Sequence, residues 1–437
     1  MSRRLSASVC RIGCDAVVME RGSLLTLDID KPAAGGRMLA RHQGQVVLVW
    51  GAIPGERVTA RVERIGKGVV YAETMEVLSA SPDRRAAGDW RCGGNVLAHI
   101  DYARQRQLKG EIVQDAFGRI GRIPLAERLE VMGSPEAGYR MRARLHAHAT
   151  RLGFYREGTH QLCDATATAQ LLPATHEWIL GAEEILRREQ LSGLAGVELA
   201  ENIAGDTRAG HLELHAGVDP SRFAALAAGL VGLSAARADR AVVERLAGTP
   251  VVTDTIAVGD EVSPLRLQRD VRAFFQGNRF LLERLVRHVV QLVPFGPVVD
   301  LYAGVGLFGL SLAAAGSDMV TLVEGDPVGG ADLKVNAEPF GVRVQVERRS
   351  VELFLASRPK PEGTWIVDPP RTGVSKDAMT GIVRSTPARI VYVSCDVATL
   401  ARDSRVLLDA GYALDSLTAF DLFPNTAHVE TVGLFTR

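Results

Sequence analysis

From about residue 266 onward, short apolar runs alternate with helix-like segments, and this alternation constrains the fold more than any other feature. The runs are PVVD (297–300), MVTLVEGD (319–326), GTWIVDPPR (363–371) and ARIVYVSCD (388–396). Strands that alternate with helices in this way build a doubly wound parallel sheet. The tail, 412–437, contains two further apolar runs with a loop between them, which predicts a closing antiparallel hairpin. We therefore predict an α/β domain over residues 266–437.

The preceding residues predict two further domains. Residues 21–80 contain short β-rich runs broken by Gly and Pro, typical of a small barrel of about five strands that often binds oligonucleotides; a barrel without a ligand is the alternative. Residues 81–265 mix strands and helices and predict an α+β domain. We expect its helix near 102–121 to pack on the α/β domain, and the alanine-rich segment 222–248 to be helical. Residues 1–20 are expected to be flexible.

Composition excludes several classes of protein. The 437 residues carry 51 basic and 51 acidic side chains, so the chain is not coated in basic charge. A local basic stretch exists, because residues 84–156 contain 14 Lys/Arg against 7 Asp/Glu. It is either a solvated surface or a phosphate-binding patch. No apolar run is long enough to span a membrane. Five cysteines are too few for a disulfide framework and indicate a reducing cytoplasm.

A glycine-rich turn follows the first strand of the predicted sheet. In DLYAGVGLFGL (300–310), the glycines allow backbone amides to approach a ligand at a helix N-terminus. The next strand ends at Glu324, where an acid would bond the hydroxyls of a ribose. Asp300 suits the cationic, amine-bearing end of S-adenosylmethionine better than a pyrophosphate. A dinucleotide enzyme is the alternative on this motif alone.

Three further residues fall at the carboxyl edge of the predicted sheet or near it. Asp368 begins DPPR, a rigid turn that would face the ligand crevice. Cys395 ends a central strand and precedes a helix, whose N-terminus would lower the thiol pKa, although Asp396 opposes this. Glu430 lies among Val429 and other apolar residues, where burial would raise its pKa and suit a general base. Singly, Cys395 could be buried filler and Glu430 an exposed edge residue.

Taken together, five motifs resemble one family over nearly the whole chain. The motifs are FFQGN (274–278), DLYAGVGLFGL, DPPRTG (368–373), YVSCDVATLARD (392–403) and DLFPNTAHVETVGLF (421–435). They resemble the S-adenosylmethionine-dependent RNA uracil-5 methyltransferases, which make 5-methyluridine in ribosomal or transfer RNA. The resemblance implies a class I methyltransferase domain with a seven-stranded sheet, and an RNA-binding TRAM barrel at 21–80.

The resemblance also implies roles for particular residues. Cofactor contacts fall on Gln276, Asp300, Tyr302, Gly304, Gly306, Glu324 and Asp368, and substrate contacts on Asp368, Phe275 and Arg371. Cys395 would attack carbon 6 of uracil, and Glu430 would remove the carbon 5 proton. The family further implies an RNA partner, no membrane association and a cytoplasmic location; we expect a monomer with no protein partner and no metal.

The chain departs from the family in several places. Many members hold an iron–sulfur cluster on four cysteines, of which only Cys92 is matched here, so we predict no cluster. Asp396-Val397 replaces Asn-Pro after the nucleophile, Ser350 lies near a position often held by an acid, and Gly277 replaces a larger residue. An RNA-binding factor with little catalysis, or a methyltransferase with a non-RNA acceptor, are therefore the alternatives. The sequence does not identify the RNA or the uridine.

Overall fold

A computed structural model describes residues 19–86, 88–260, 262–359 and 362–437. Nearly all of the segment predicted to be flexible, 1–20, lies outside these residues. The chain divides into two compact units. One comprises residues up to Ala33 and Arg37–Pro82; the other comprises Ala34–Gly36 and Asp83–Arg437. The second unit therefore holds both the central and the methyltransferase segments, and the boundary at 265/266 stays a prediction.

The first unit is a closed five-stranded barrel, as predicted. Its strands are β1 (Leu24–Pro32), β2 (Met38–His42), β3 (Gln45–Trp50), β4 (Arg57–Gly66) and β5 (Val69–Ser79), in the order β1-β2-β3-β5-β4. Alternate residues of β1 and β4 point inward, so Leu25, Leu27 and Val58 are buried while their neighbours face out. This period of two is the pattern from which the barrel was predicted.

The central part of the second unit is built on a seven-stranded sheet of order β13-β12-β11-β10-β7-β8-β9. Its elements are α1 (Tyr102–Ala116), β6 (Val131–Met132), β7 (Arg142–His148), β8 (Arg151–Tyr155), β9 (Leu162–Asp164), α2 (Pro173–Arg188), β10 (Leu194–Glu201), β11 (Arg208–Leu214), β12 (Gly232–Arg237) and β13 (Val243–Gly248). A separate pair, β14 (Val251–Ile256) and β15 (Leu265–Asp270), follows.

The helical prediction for 222–248 is wrong. The segment contains only the end of a 3-10 turn, Pro220–Ala227, followed by β12 and β13. Leu233 and Ala235 of β12 are fully buried in the core of the central sheet. Alanine favours helices only weakly when tertiary burial decides, and here pairing with β11 overrides the local preference.

The methyltransferase segment forms the predicted doubly wound sheet. Its elements are α3 (Leu282–Leu292), β16 (Val298–Leu301), α4 (Leu307–Ala314), β17 (Val320–Val323), α5 (Pro327–Ala337), β18 (Val344–Glu347), α6 (Val351–Ala356), β19 (Thr364–Val367), α7 (Lys376–Ser385), β20 (Arg389–Ser394), α8 (Val397–Asp409), β21 (Ala413–Phe420) and β22 (Glu430–Thr436). The order is β18-β17-β16-β19-β20-β22-β21-β6.

Seven strands were predicted in this sheet, and an eighth is present. The additional strand is the two-residue β6, which pairs in parallel with β21 and comes from the central part of the chain. The five strands β16 to β20 are mutually parallel, whereas β22 runs antiparallel to both β20 and β21. This is the closing hairpin expected from the tail.

Two apolar layers cover the sheet, one on each face. Val298 and Ile366 belong to the layer that includes α3 and α4, whereas Val299 and Trp365 belong to the layer that includes α6, α7 and α8. The second layer is completed from outside the methyltransferase segment, because α1 contributes Val113 and its neighbours to it. The helix near 102–121 thus packs on this sheet.

A buried ion pair fastens α1 to the loop between β21 and β22. Lys109 Nζ donates to Asp421 Oδ1 at 2.5 Å and to the carbonyl of Phe423 at 2.9 Å, and both charged side chains are fully buried. Gln105 exchanges two hydrogen bonds with Asn425, of 2.9 and 3.0 Å. The loop that precedes Glu430 is therefore held by a helix from the other end of the unit.

Two of the cysteines are paired rather than reduced. Cys92 and Cys163 form a disulfide across 71 residues, and both are buried. Cys92 is the one cysteine that matched a family cluster ligand. Cys395 is the free cysteine among the residues that the structure describes. None of the helices in the described ranges is long and apolar enough to cross a membrane.

Candidate active site

A cavity of about 840 Å³ opens at the carboxyl edge of β16, β17, β19 and β20, where ligands bind in doubly wound sheets. Nine of the residues predicted from the sequence line it. They are Phe275, Gln276, Tyr302, Gly304, Glu324, Asp368, Arg371, Cys395 and Glu430. Glu324, Asp368 and Cys395 converge because each follows a parallel strand whose carboxyl end lies at this edge.

The glycine-rich turn between β16 and α4 forms one wall. Tyr302 and Gly304 have positive φ angles of 64° and 58°, and a Cβ placed on Gly304 would meet no atom within 4 Å. Glu324 holds the turn, because its Oε2 accepts the Gly304 amide at 2.7 Å and its Oε1 accepts the Asp326 amide at 2.5 Å. Burial raises the pKa of Glu324. The turn is open where a ligand would approach the backbone closely.

Two predicted cofactor residues do not line the cavity. Asp300 is 1% exposed, and its Oδ2 accepts the amide of Gly309 at 2.8 Å, beneath the turn. Burial raises the Asp300 pKa to about 8. Gly306 has a left-handed φ of 101°, and its Cα faces Leu310 and Leu333. These residues shape the turn from behind, and their direct contact with the cofactor stays a prediction.

Cys395 lies between β20 and α8, with Asp396 as the helix cap. The Asp396 side chain accepts the Thr399 amide at 2.8 Å. Burial, and then the negative charges of Glu430 and Asp368, raise the Cys395 pKa to about 12, against the lowering effect of Arg371. The net direction is therefore opposite to the lowering expected from the helix N-terminus, because burial and the two acids outweigh it.

Glu430 and Asp368 form a coupled pair of acids beside the thiol. Glu430, at the start of β22, is 1% exposed, and its Oε1 has no hydrogen-bond partner in the described part of the chain. Burial raises its pKa to about 8, and Arg371 lowers it. Burial and the charge of Glu430 also raise the pKa of Asp368 well above its ordinary value. A carboxyl that titrates near neutrality and faces a cavity can accept and release a proton.

Several cavity residues were not singled out from the sequence. Arg140, Arg142 and Arg144 enter from the central sheet, and Phe274 and Phe423 complete the wall. The arginines belong to the basic stretch 84–156, and their spacing of two in YRMRAR predicts a strand with one charged face. What the spacing does not reveal is that this face meets the carboxyl edge of a sheet some 250 residues away in sequence.

The site fits an S-adenosylmethionine molecule by its shape and charge. The cavity has the volume of a small-molecule site. The open space beside Gly304 allows a ligand to approach the backbone closely, and the acids Glu324, Asp326 and Asp368 suit a cationic ligand. The fold and the site together define a class I methyltransferase.

Comparisons with known proteins identify the family. Residues 360–437 match the tRNA (Uracil-5-)-methyltransferase model, and residues 19–74 match the TRAM domain. A 23S rRNA (uracil(1939)-C(5))-methyltransferase RlmD from Chromohalobacter salexigens is 32% identical, over 98% of this chain and 94% of its own. An uncharacterized RNA methyltransferase from Corynebacterium glutamicum is 30% identical, over 97% and 99%.

A solved structure supports the fold. It is the Pyrococcus abyssi tRNA (uracil-54, C5)-methyltransferase in complex with S-adenosyl-L-homocysteine, with a TM-score of 0.76, 24% identity, and coverage of 94% of this chain and 99% of that one. The chain belongs to the RNA uracil-5 methyltransferase family.

Proposed function

We propose that this protein methylates carbon 5 of a uridine in ribosomal or transfer RNA, with S-adenosylmethionine as the methyl donor and a covalent bond between Cys395 and the uracil ring. One observation carries the proposal. A free cysteine and a buried carboxyl with an unpartnered oxygen, Glu430, line the same cavity as the glycine-rich turn.

The chain's own residues supply the activation that the base needs. Carbon 5 of uracil is a weak nucleophile. Once the Cys395 thiol has given up its proton to solvent, the thiolate Sγ bonds carbon 6, the ring becomes an enolate, and carbon 5 gains the electron density to bond a methyl group. The cofactor supplies an electrophilic methyl on a sulfonium. Asp368 orients the base at the rigid DPPR turn, with Phe275 and Arg371 as further contacts.

Glu430 completes the reaction. After methylation, carbon 5 carries both a proton and a methyl group. The Oε1 atom of Glu430 removes the carbon 5 proton. The electron pair of that bond re-forms the ring double bond, and the bond from Cys395 Sγ to carbon 6 breaks. The pKa of about 8 suits a group that must accept a proton and release it in each turnover. Gln276 and Glu324 hold the cofactor, with Glu324 at the ribose.

RNA is the partner that the family and the barrel support. The target base must leave its stack to reach Cys395 inside the cavity. Relatives act on different RNAs, since RlmD proteins are named for uracil 1939 of 23S rRNA and the archaeal structure for uracil 54 of tRNA. We further propose a cytoplasmic monomer without an iron–sulfur cluster. An absorption spectrum and iron analysis of protein purified without oxygen test the last point.

The test is a methyl-transfer assay. Protein is incubated with tritium-labelled S-adenosylmethionine and total RNA from a strain that lacks the gene. Wild type and the control Glu184→Gln, at an exposed position of α2, should label 5-methyluridine, whereas Cys395→Ala should not. Fractionation of the RNA then names the substrate. Absence of label from wild type that binds the cofactor would refute the proposal and favour an RNA-binding role or a different acceptor.

A second variant tests the order of steps. Glu430→Gln retains the nucleophile but cannot remove the proton, so it should accumulate a methylated protein–RNA adduct that survives denaturation. General-base removal typically lowers the rate by about 10²- to 10⁴-fold. Full turnover by Glu430→Gln, or an adduct formed by Cys395→Ala, would contradict the assigned roles.

A further inference from the structure

The arginines around the cavity fall into two groups. Three of the five are each neutralised by a carboxylate. These pairs are Arg142 with Glu198 at 3.1 Å, Arg144 with Glu213 at 2.7 Å and Arg272 with Asp270 at 2.8 Å. Arg140 and Arg371, by contrast, form no ion pair with any residue that the structure describes. Neither arginine is therefore matched by a carboxylate within ion-pair distance in the part of the chain that the structure describes.

Arg140 is held in place by neutral groups. Its Nε donates to the carbonyl of Arg142 at 2.8 Å, its Nη1 donates to Gln170 Oε1 at 2.7 Å, and its guanidinium lies 5.2 Å from the ring centroid of Phe154. Burial lowers its pKa, and the positive charges of Arg142 and Arg371 lower it further. A desolvated cation without a counter-ion is costly, so a fixed Arg140 in this position indicates an anionic ligand.

Arg371 occupies the rim of the same cavity. It follows Pro370, is exposed, and donates no hydrogen bond within the described ranges. Its charge acts on Cys395 and Glu430, whose pKa values it lowers, and on Arg140. Arg140 and Arg371 therefore lie within electrostatic range of each other and of the catalytic pair.

The substrate has one anionic group that must lie near the cavity mouth. If a uracil ring enters to meet Cys395, its ribose and its backbone phosphate remain within one nucleotide's length of that ring. A guanidinium presents a planar fork that matches a phosphate better than an ammonium does. We propose that Arg140 and Arg371 together bind the backbone phosphate of the uridine that is methylated. This inference rests on the proposed function and names two groups that recognise its substrate.

The test is the salt dependence of RNA binding, which needs no turnover. The probe is a short single-stranded oligouridylate, titrated over a range of salt concentrations. Each phosphate contact contributes about −0.7 to the slope of log affinity against log salt for a single strand. Arg140→Gln and Arg371→Gln should each reduce the slope by up to about 0.7. Arg140→Lys retains the positive charge and should keep most of the wild-type slope. The control Arg187→Gln, at an exposed position of α2 where Arg187 pairs with Glu184, should leave the slope unchanged.

A chemically modified probe locates the contact. An oligocytidylate that contains a single uridine, with a neutral methylphosphonate in place of the phosphate at that uridine, should bind wild type with the reduced slope. The double variant Arg140→Gln/Arg371→Gln should not distinguish the modified from the unmodified probe. If the methylphosphonate reduced the salt slope equally in wild type and in the double variant, the arginines would contact another phosphate, and the proposal would be overturned.

A second arm separates the two anions that could occupy this position. Affinity for S-adenosylhomocysteine is measured on the same variants by calorimetry. Unchanged cofactor affinity with a reduced RNA slope supports a phosphate contact, whereas lost cofactor affinity with an unchanged slope assigns the arginines to the cofactor carboxylate. If Arg140→Gln does not fold, the same two measurements on Arg371→Gln, at an exposed position, still distinguish a phosphate contact from a cofactor contact. Wild type that binds RNA but forms no 5-methyluridine would refute the proposed function and leave the contact itself measurable.

Discussion

The Cys395 thiol should react slowly with alkylating agents in the protein without ligands. Its pKa is raised from an ordinary 9.0 to about 12, by burial first and then by the charges of Glu430 and Asp368. At any pH below both pKa values, the thiolate fraction of Cys395 is therefore roughly 10³-fold lower than that of a free cysteine. A more basic thiolate is intrinsically more nucleophilic, with a Brønsted coefficient of about 0.4–0.5, which recovers roughly 20-fold. The net expectation is alkylation about 50-fold slower than that of a free cysteine.

The assay is iodoacetamide labelling at several pH values from about 7 to about 10, on both sides of the ordinary thiol pKa, read by mass spectrometry of the Cys395 peptide. A small unstructured cysteine peptide in the same tube is the reference, and the rate for Cys395 should still rise with pH where the reference levels off. Cys92 and Cys163 are bonded to each other and do not compete while the disulfide is intact.

Two substitutions should change this rate in opposite directions. Glu430→Gln removes a negative charge near the sulfur, so it should lower the thiol pKa and speed alkylation, most clearly above pH 8, where Glu430 is ionised. Arg371→Gln removes a positive charge and should slow it. Labelling as fast as the reference, or slower labelling in Glu430→Gln, would refute the electrostatic account of this site.

Three further predictions concern stability and are measured by urea unfolding. Lys109→Met leaves the Asp421 carboxylate buried and unpaired and should lower the free energy of unfolding by about 3–5 kcal/mol. Adding Asp421→Asn should recover part of this loss. A Lys109→Met variant as stable as wild type would contradict the buried pair. Reducing the Cys92–Cys163 disulfide opens a loop of 71 residues and should lower the free energy of unfolding by about 4 kcal/mol, with Cys92→Ser as the variant that no longer responds to reductant. Asp300 is protonated when folded up to about pH 8 and ionised above about pH 4 when unfolded, so its contribution to stability should fall as pH rises through that window. Asp300→Asn should flatten the dependence, and an unchanged pH profile would show that another group governs it.

The sequence by itself was enough to predict the barrel, the doubly wound sheet and nine of the residues that line the cavity. The barrel, the sheet and the residues at its carboxyl edge were predicted from short-range information, whereas others, such as Gln276 and Phe275, came from the resemblance to a known family. A strand shows its buried face by a period of two, as in β1 and β4, and a residue just after a parallel strand must lie at the carboxyl edge of the sheet. Cys395, Asp368 and Glu324 were found by that rule, with no knowledge of distant contacts.

Only the tertiary structure decided the features that depend on which segments meet. It buried Asp300 beneath the turn, placed residues 232–237 and 243–248 in strands, and paired Cys92 with Cys163. It also placed Arg140 in the wall of the cavity that Cys395 and Glu430 line. None of these has a local signature, because the free energy that selects them comes from burial and charge between groups far apart in sequence, which override weak local preferences.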